Sequence, residues 1–175
     1  THRMSDAFKL TYSTMFNPPP ELHARFDAAL AEFKHSGMGR DHPQWIDGAA
    51  AEGGERFEVR SPIDQDWLIG RFVQGSADDV DRAVQAARAA YPAWAATPWR
   101  ERVALLRRAA RLIEERVYAI SAAVAVEVGK NRMEAIGEVQ ETADLIDWYA
   151  DRMEEADGFD RPLADDPLPN FKSHN

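Results

Sequence analysis

The sequence contains no cysteine. That excludes disulfides, thiolate-bound metals and a cysteine nucleophile within these 175 residues, and it fits a cytoplasmic protein without requiring one. Long apolar runs are also missing: none approaches the roughly 20 residues that cross a bilayer. The N-terminus, Thr1-His2-Arg3-Met4-Ser5, has a basic residue but not the apolar core of a signal peptide. No membrane is expected as a partner. Met4 is a candidate natural start. Basic charge is scarce too, with 21 Lys and Arg against 30 Asp and Glu, a formal net charge of −9. A nucleic-acid backbone is therefore a poor partner, since binding one needs clustered cations. Part of the acid is local, seven carboxylates against three cations over residues 151–175, and reads as solvated surface. Repeats and low-complexity tracts are absent.

The usual chemical constellations are missing as well. His2, His23, His35, His42 and His174 are scattered, with no pair at the i, i+4 spacing that would present two ligands on one helix face. The serines include no Gly-x-Ser-x-Gly elbow. Gly37-Met38-Gly39 lacks the later glycine of a dinucleotide fingerprint and does not follow a strand. Glu134, Glu138 and Glu141 do share one helix face, at i, i+4 and i+7. They fit a solvated acidic face, or a carboxylate beside a cationic substrate.

What is present is helical periodicity. Pro20 suits a first helical position, and Leu22, Phe26, Leu30 and Phe33 form one stripe before Gly37 and Gly39. Trp45–Gly48, Arg56–Arg60 and Trp67–Gln74 read as short strands in an antiparallel meander or as the edge of a larger sheet, with Gly53-Gly54 as the first connection. Ser76 with Asp79 makes a capping box. The helix after it has the stripe Val80, Ala83, Val84, Ala87 and Tyr91, and Pro92 is expected to kink or end it. Thr97-Pro98 restarts a helix whose stripe, Val103 to Val124, runs unbroken to Gly129. Asn131 caps the last helix, with Met133, Ile136, Val139, Ala143, Ile146, Ala150 and Met153 inward and Gly158 closing it. The sequence thus predicts an α/β chain with an arm over residues 1–17, a body over 18–158 and an extended arm over 159–175.

The stretch Ile69-Gly70-Arg71-Phe72-Val73-Gln74-Gly75-Ser76-Ala77-Asp78-Asp79-Val80-Asp81-Arg82-Ala83-Val84 resembles the aldehyde dehydrogenase superfamily. Trp94, Arg100 to Arg108 and Leu112-Ile113-Glu114-Glu115 continue the likeness. Glu127-Val128-Gly129-Lys130-Asn131 is similar to that family's Glu-Thr-Gly-Lys segment, in the form typical of 1-pyrroline-5-carboxylate (L-glutamate γ-semialdehyde) dehydrogenases. Glu134-Ala135, Glu138, Glu141, Asp144-Leu145-Ile146 and Trp148-Tyr149-Ala150 suit the same branch.

The resemblance implies the N-terminal part of the dehydrogenase fold, NAD (or NADP) as cofactor of the complete enzyme, an aldehyde substrate, and a homo-oligomer whose arm begins at Phe159. It covers about the first third of such an enzyme. The family's oxyanion Asn, its Gly-Ser-x-x-x-Gly helix, its general-base Glu and its nucleophilic Cys all fall beyond Asn175. The segment alone is therefore expected to be inactive and to bind no cofactor. By resemblance the last helix walls the substrate tunnel, with Glu141 near the substrate and Ile146 and Tyr149 as further wall residues. Another aldehyde substrate, or a non-catalytic helical interaction module, are the alternative readings. A piece of a larger sheet would leave Phe57, Phe72 and the Met133-to-Met153 stripe partly exposed.

Overall fold

A computed structural model describes residues 17–160; the arm residues 1–16 and 161–175 lie outside them. Helix α1 (Pro20–Glu32) starts at the Pro triplet and buries Leu22 and Phe26, and a π-helical turn over Phe33–Gly37 follows it. Five short strands come next: β1 (Arg40–His42), β2 (Gln44–Ile46), β3 (Ala49–Ala51), β4 (Arg56–Arg60) and β5 (Leu68–Val73). Four helices complete the described chain: α2 (Ala77–Ala96), α3 (Trp99–Glu115), α4 (Val117–Val128) and α5 (Arg132–Glu155).

The α/β class is as the sequence implies, but the strands do not form a meander. They make a three-stranded sheet in the order β1-β5-β4, with β1 parallel and β4 antiparallel to β5, and a separate hairpin of β2 and β3. The hairpin turns at Asp47-Gly48, not at Gly53-Gly54. Both turn residues have positive φ, 53° and 71°, the geometry of a type I′ turn. Strand β1 is polar and β3 is all alanine, so neither carries the alternation that reveals a strand. Gly70 explains how β1 reaches β5: a Cβ there would lie 2.8 Å from the His42 ring and 3.0 Å from the Arg40 carbonyl oxygen.

Helix α5 is the axis of the helical block. It runs along both α3 and α4, and α1 closes over α4. The core cluster joins Leu22 and Phe26 of α1 to Ala125 of α4 and to Ala135 and Ile136 of α5. The long helix expected from Thr97 to Gly129 is broken in two. Arg116 leaves helical geometry (φ −108°, ψ 15°), and the buried face then turns to Ser121, Ala122, Ala125 and Val126. The expected positions Val117, Ile120 and Val124 are only half-buried. Thr97 also differs: its hydroxyl donates back to the Ala93 carbonyl rather than capping α3, and Pro98 takes the cap position.

The larger departure is α2. Pro92 sits inside it without ending it, at the cost of the bond its missing N–H would make to the Arg88 carbonyl, and the helix buries no residue at all. Val80, Val84 and Tyr91, the expected inner stripe, are 60%, 45% and 68% exposed. Phe57 is also exposed and Phe72 half-buried, whereas Ile136, Val139, Ala143 and Ala150 of the α5 stripe are buried.

Two local devices hold this layout. The Ser61 hydroxyl, fully buried, donates to the Val126 carbonyl at 2.5 Å and accepts from the Ile63 N–H at 3.2 Å, tying the strand loop to the end of α4. Beside it Gly129 takes the left-handed conformation that ends α4, against Pro62. At α2 the Ser76 hydroxyl accepts from the Asp79 N–H, and the Asp79 carboxylate accepts from the Ser76 N–H at 2.8 Å. The Ser76 N–H and the Ser76 hydroxyl, both donating to the carboxylate, and then Arg82 hold the Asp79 carboxyl well below the usual carboxylate range.

Ser61→Ala should destabilise the chain by about 1–2 kcal/mol, read as a lower urea midpoint with m unchanged, since a buried carbonyl and a part-buried N–H each lose a partner. Asp79 titrates near 3.9 when unfolded. Because its folded pKa is depressed, its contribution is complete above that pH and fades as pH falls towards the folded value. Asp79→Asn should therefore have a shallower acid limb in its stability-against-pH curve; a limb as steep as that of the unaltered chain would contradict the capping role.

Candidate functional site on helix α5

Helix α5 has two sides of different chemistry. Its inner side is small and apolar: Ala135, Ala143 and Ala150 are 0%, 0% and 2% exposed. Its outer side carries Glu134, Glu138, Glu141, Leu145 and Trp148, all exposed. Asn131 fixes where the helix starts, its side-chain oxygen accepting from the Glu134 N–H at 3.0 Å. The three glutamates anticipated from spacing do share the outer face, but they are not equivalent. Glu138 accepts a bond from Lys130 at 2.5 Å. Glu141 makes no hydrogen bond or ion pair with any described residue. Among the described residues it has no counter-charge, and it stands on an exposed helix face.

The other two candidate residues are placed differently. Tyr149 is 66% exposed, with its ring edge-on to Trp148 at a centroid distance of 5.0 Å. It lies about 80° round the helix from Glu141 and about 12 Å along it, from helix geometry. Ile146 is half-buried, about 140° round from Glu141, towards the inner side. Glu141 and Tyr149 are both exposed, and Ile146, about 60° from Tyr149, lies at the inner edge of that side.

One element here was not foreseen. Between α3 and the second half of α5 lies a cavity of about 480 Å³, walled by Trp94, Trp99, Trp148, Tyr149, Met153 and Phe159, with Arg102 and Arg152 also lining it. The aromatics between residues 94 and 159 are no denser than in the rest of the chain, so the one local trace of it in the sequence is Gly158. That glycine has φ +84°, and a Cβ on it would lie 2.4 Å from the Trp99 ring, so the chain can turn past Trp99 only without a side chain.

Electrostatics pin α3 to α5. Arg107, half-buried, reaches Asp147 at 3.2 Å, Asp151 at 2.6 Å and Glu154 at 2.7 Å, three acids along one side of α5. Glu154 and Asp151 hold its guanidinium in the charged form. Among the described residues, no group of three or more His, Asp or Glu is arranged to hold a metal ion. No helix there is long and apolar enough to cross a membrane. Chemically, the surface can recognise a cation and line a cavity; it offers no nucleophile–base pair.

A strand edge followed by this helical block defines a class of fold. The sequence profile of the aldehyde dehydrogenase family matches residues 45–172, and the chain belongs to that family. It is 34% identical over 142 residues to a 1-pyrroline-5-carboxylate dehydrogenase of Staphylococcus haemolyticus, covering 81% of this chain and 27% of that protein. It is 38% identical over 112 residues to the lactaldehyde dehydrogenase of Escherichia coli, covering 63% of this chain and 23% of that one. Among solved structures, the 1-pyrroline-5-carboxylate dehydrogenase from Thermus with bound NAD superposes with a TM-score of 0.80 at 26% identity, covering 95% of this chain and 32% of that one. The chain thus spans about a third or less of the length of the proteins it matches.

If Arg107 organises the α3–α5 contact, Arg107→Gln leaves Asp147, Asp151 and Glu154 as mutually repelling neighbours. The variant should melt lower than the unaltered chain at low ionic strength, and the gap should shrink as salt screens the repulsion. A gap independent of salt would assign Arg107 a packing role only.

Proposed function

We propose that the chain is the N-terminal portion of an NAD-dependent aldehyde dehydrogenase that oxidises L-glutamate γ-semialdehyde, the open form of 1-pyrroline-5-carboxylate, to glutamate in proline catabolism. The observation that carries this reading is the carboxylate of Glu141 on α5, without a counter-charge among the described residues, in a chain whose fold follows that of 1-pyrroline-5-carboxylate dehydrogenases over almost its whole length. Glutamate semialdehyde carries an ammonium group at the end away from its aldehyde. A carboxylate without a counter-charge on the tunnel wall is the group that would receive it.

In this reading α5 is a wall. Glu141 orients the substrate through its ammonium, Tyr149 adds an aromatic surface two turns on, and Ile146 supports the wall from its inner side. NAD would supply the hydride acceptor in the complete enzyme. The residues present do not fit that group: the Gly37-Met38-Gly39 segment follows a helical turn and leads into β1, so it is not the strand-to-helix turn that cradles a pyrophosphate. No step of hydride transfer is therefore assigned to this chain. We assign residues 18–158 to the outer part of the NAD-binding domain and residues 159–175 to the start of an arm that joins subunits of a cytoplasmic homo-oligomer. The exposed stripe of α2 supports a larger protein body, since a capped amphipathic helix without a buried residue lacks the surface it is patterned for. The likeness to lactaldehyde dehydrogenase keeps a second, uncharged class of aldehyde as the competing substrate.

Steady-state assays of the full-length protein with glutamate semialdehyde and with lactaldehyde separate the two. Glutamate semialdehyde should have the higher kcat/KM. Glu141→Gln should raise its KM roughly tenfold or more, the size of a lost charge-assisted bond, while leaving that for lactaldehyde within about twofold. A preference for lactaldehyde, or an equal effect of Glu141→Gln on both substrates, would sink the assignment. The 175-residue chain alone should reduce no NAD with either aldehyde.

A further inference from the structure

The cavity between α3 and α5 has a charge pattern its aromatic lining does not explain. Two arginines line it, Arg102 and Arg152, and Arg100 follows Trp99 of its wall in sequence. Arg100 is paired with Asp157 at 2.7 Å and Arg152 with Glu155 at 2.5 Å. Arg102 is different. It makes no hydrogen bond or ion pair with any described residue, and its guanidinium lies 5.9 Å from the centre of the Trp94 ring. The Nε atoms of Arg102 and Arg152 are both shielded from solvent without an acceptor, but only Arg152 has a carboxylate partner for the rest of its guanidinium.

The acids nearest in sequence along α5 and beyond it are already engaged elsewhere. Asp151 and Glu154 take Arg107, Glu155 takes Arg152, and Asp157 takes Arg100. A shielded guanidinium N–H without an acceptor is costly, and the cost is removed by a bound anion. The rest of the wall is made of aromatic faces, Trp94, Trp99 and Trp148 above all. Its volume of about 480 Å³ is that of a small-molecule site rather than of a protein–protein groove.

We propose that this cavity binds small aromatic carboxylates, the ring lying among Trp94, Trp99 and Trp148 and the carboxylate accepting from Arg102. The site shares Tyr149 with the Glu141 wall proposed above but has the opposite charge, and its ligand is held by Arg102 rather than by Glu141.

Three of the five tryptophans line the cavity, so intrinsic fluorescence of the 175-residue chain reports occupancy directly. Phenylacetate is the probe and 2-phenylethanol its neutral counterpart. Phenylacetate should change the emission saturably with a Kd on the order of 1 mM, as expected for a ligand of ten heavy atoms. 2-Phenylethanol should bind at least roughly tenfold more weakly. Arg102→Gln should weaken phenylacetate roughly tenfold and leave 2-phenylethanol unchanged, whereas Arg102→Lys should retain most of the binding. Arg108→Gln, on the exposed outer side of α3, should change neither, and far-UV circular dichroism establishes that each variant is folded.

Absence of saturable binding overturns the proposal. So does equal binding of the neutral probe, or an Arg102→Gln variant that binds phenylacetate as before, since either would leave apolar burial as the sole interaction. Sedimentation showing self-association that Arg102→Gln disrupts and phenylacetate does not would assign the cavity to a second copy of the chain and reject the ligand.

Discussion

Helices α3 and α4 both pack on α5 through an inner face where alanines stand beside Ile136 and Val139. Ala135, Ala143 and Ala150 are almost fully buried, and Ala110 of α3 and Ala122 of α4 are fully buried in turn. Alanines in such positions let helix axes approach closely without rearranging large side chains. Of its large side chains, α5 buries only Ile136 and Val139. Leu145, Trp148 and Tyr149 stand on its exposed side, 49%, 51% and 66% accessible. The residues with chemical character on this helix are thus outside by construction: the close packing that builds the block also presents Glu141, Trp148 and Tyr149. Enlarging an inner alanine would separate α3 from α5 and disturb the aromatic cavity and the Arg107 contacts together.

The strand layer depends on this block through a narrow joint. Ser61 and Pro62 sit against the last turn of α4 and Gly129, and the Ser61 hydroxyl satisfies a carbonyl that the helix end leaves open. The break at Arg116 matters for the same reason. A straight helix from Trp99 to Val128 could not lie along α5 at one end and reach α1 and the strand loop at the other. Dividing it into α3 and α4 lets each half choose its buried face, Val103 and Ala110 in one and Ser121 to Val126 in the other.

How much of this the sequence discloses follows from the range of each interaction. Caps are local, so Ser76-Asp79 and Asn131-Glu134 were legible, and so was the left-handed stop at Gly129. Helical period was legible in α1, whose buried Leu22 and Phe26 fall on the expected stripe, and largely in α5, where Ile136, Val139, Ala143 and Ala150 do so while Ala135 is buried beside the stripe and Met133, Ile146 and Met153 are half-buried. What escaped was decided at a distance. Arg116 breaks no local rule, and its neighbours are good helix formers; the break answers to packing against α1 and α5. Strand β1 exists because Gly70 admits it, a condition set about 30 residues away. At the candidate site, spacing placed three glutamates on one face but could not say that Lys130 occupies one of them and leaves Glu141 alone. Ile146, grouped with Glu141 and Tyr149 by likeness, turns inward for the geometric reason that five residues make about 140° beyond a full turn.

Helix α2 sharpens the point about what periodicity means. Its stripe of Val80, Val84 and Tyr91 is regular, its capping box is complete, and yet no residue of it is buried. An apolar stripe specifies that a partner surface exists; it does not specify that the partner lies in the same stretch of chain. Isolated helices of this length are only marginally stable in water, and most helical stability comes from packing of the apolar face. The well-formed α2 is therefore a helix whose local signals and cap satisfy half of its requirements. The half left open is an apolar surface elsewhere, and the family's members, about three times as long or longer, have ample chain with which to supply it.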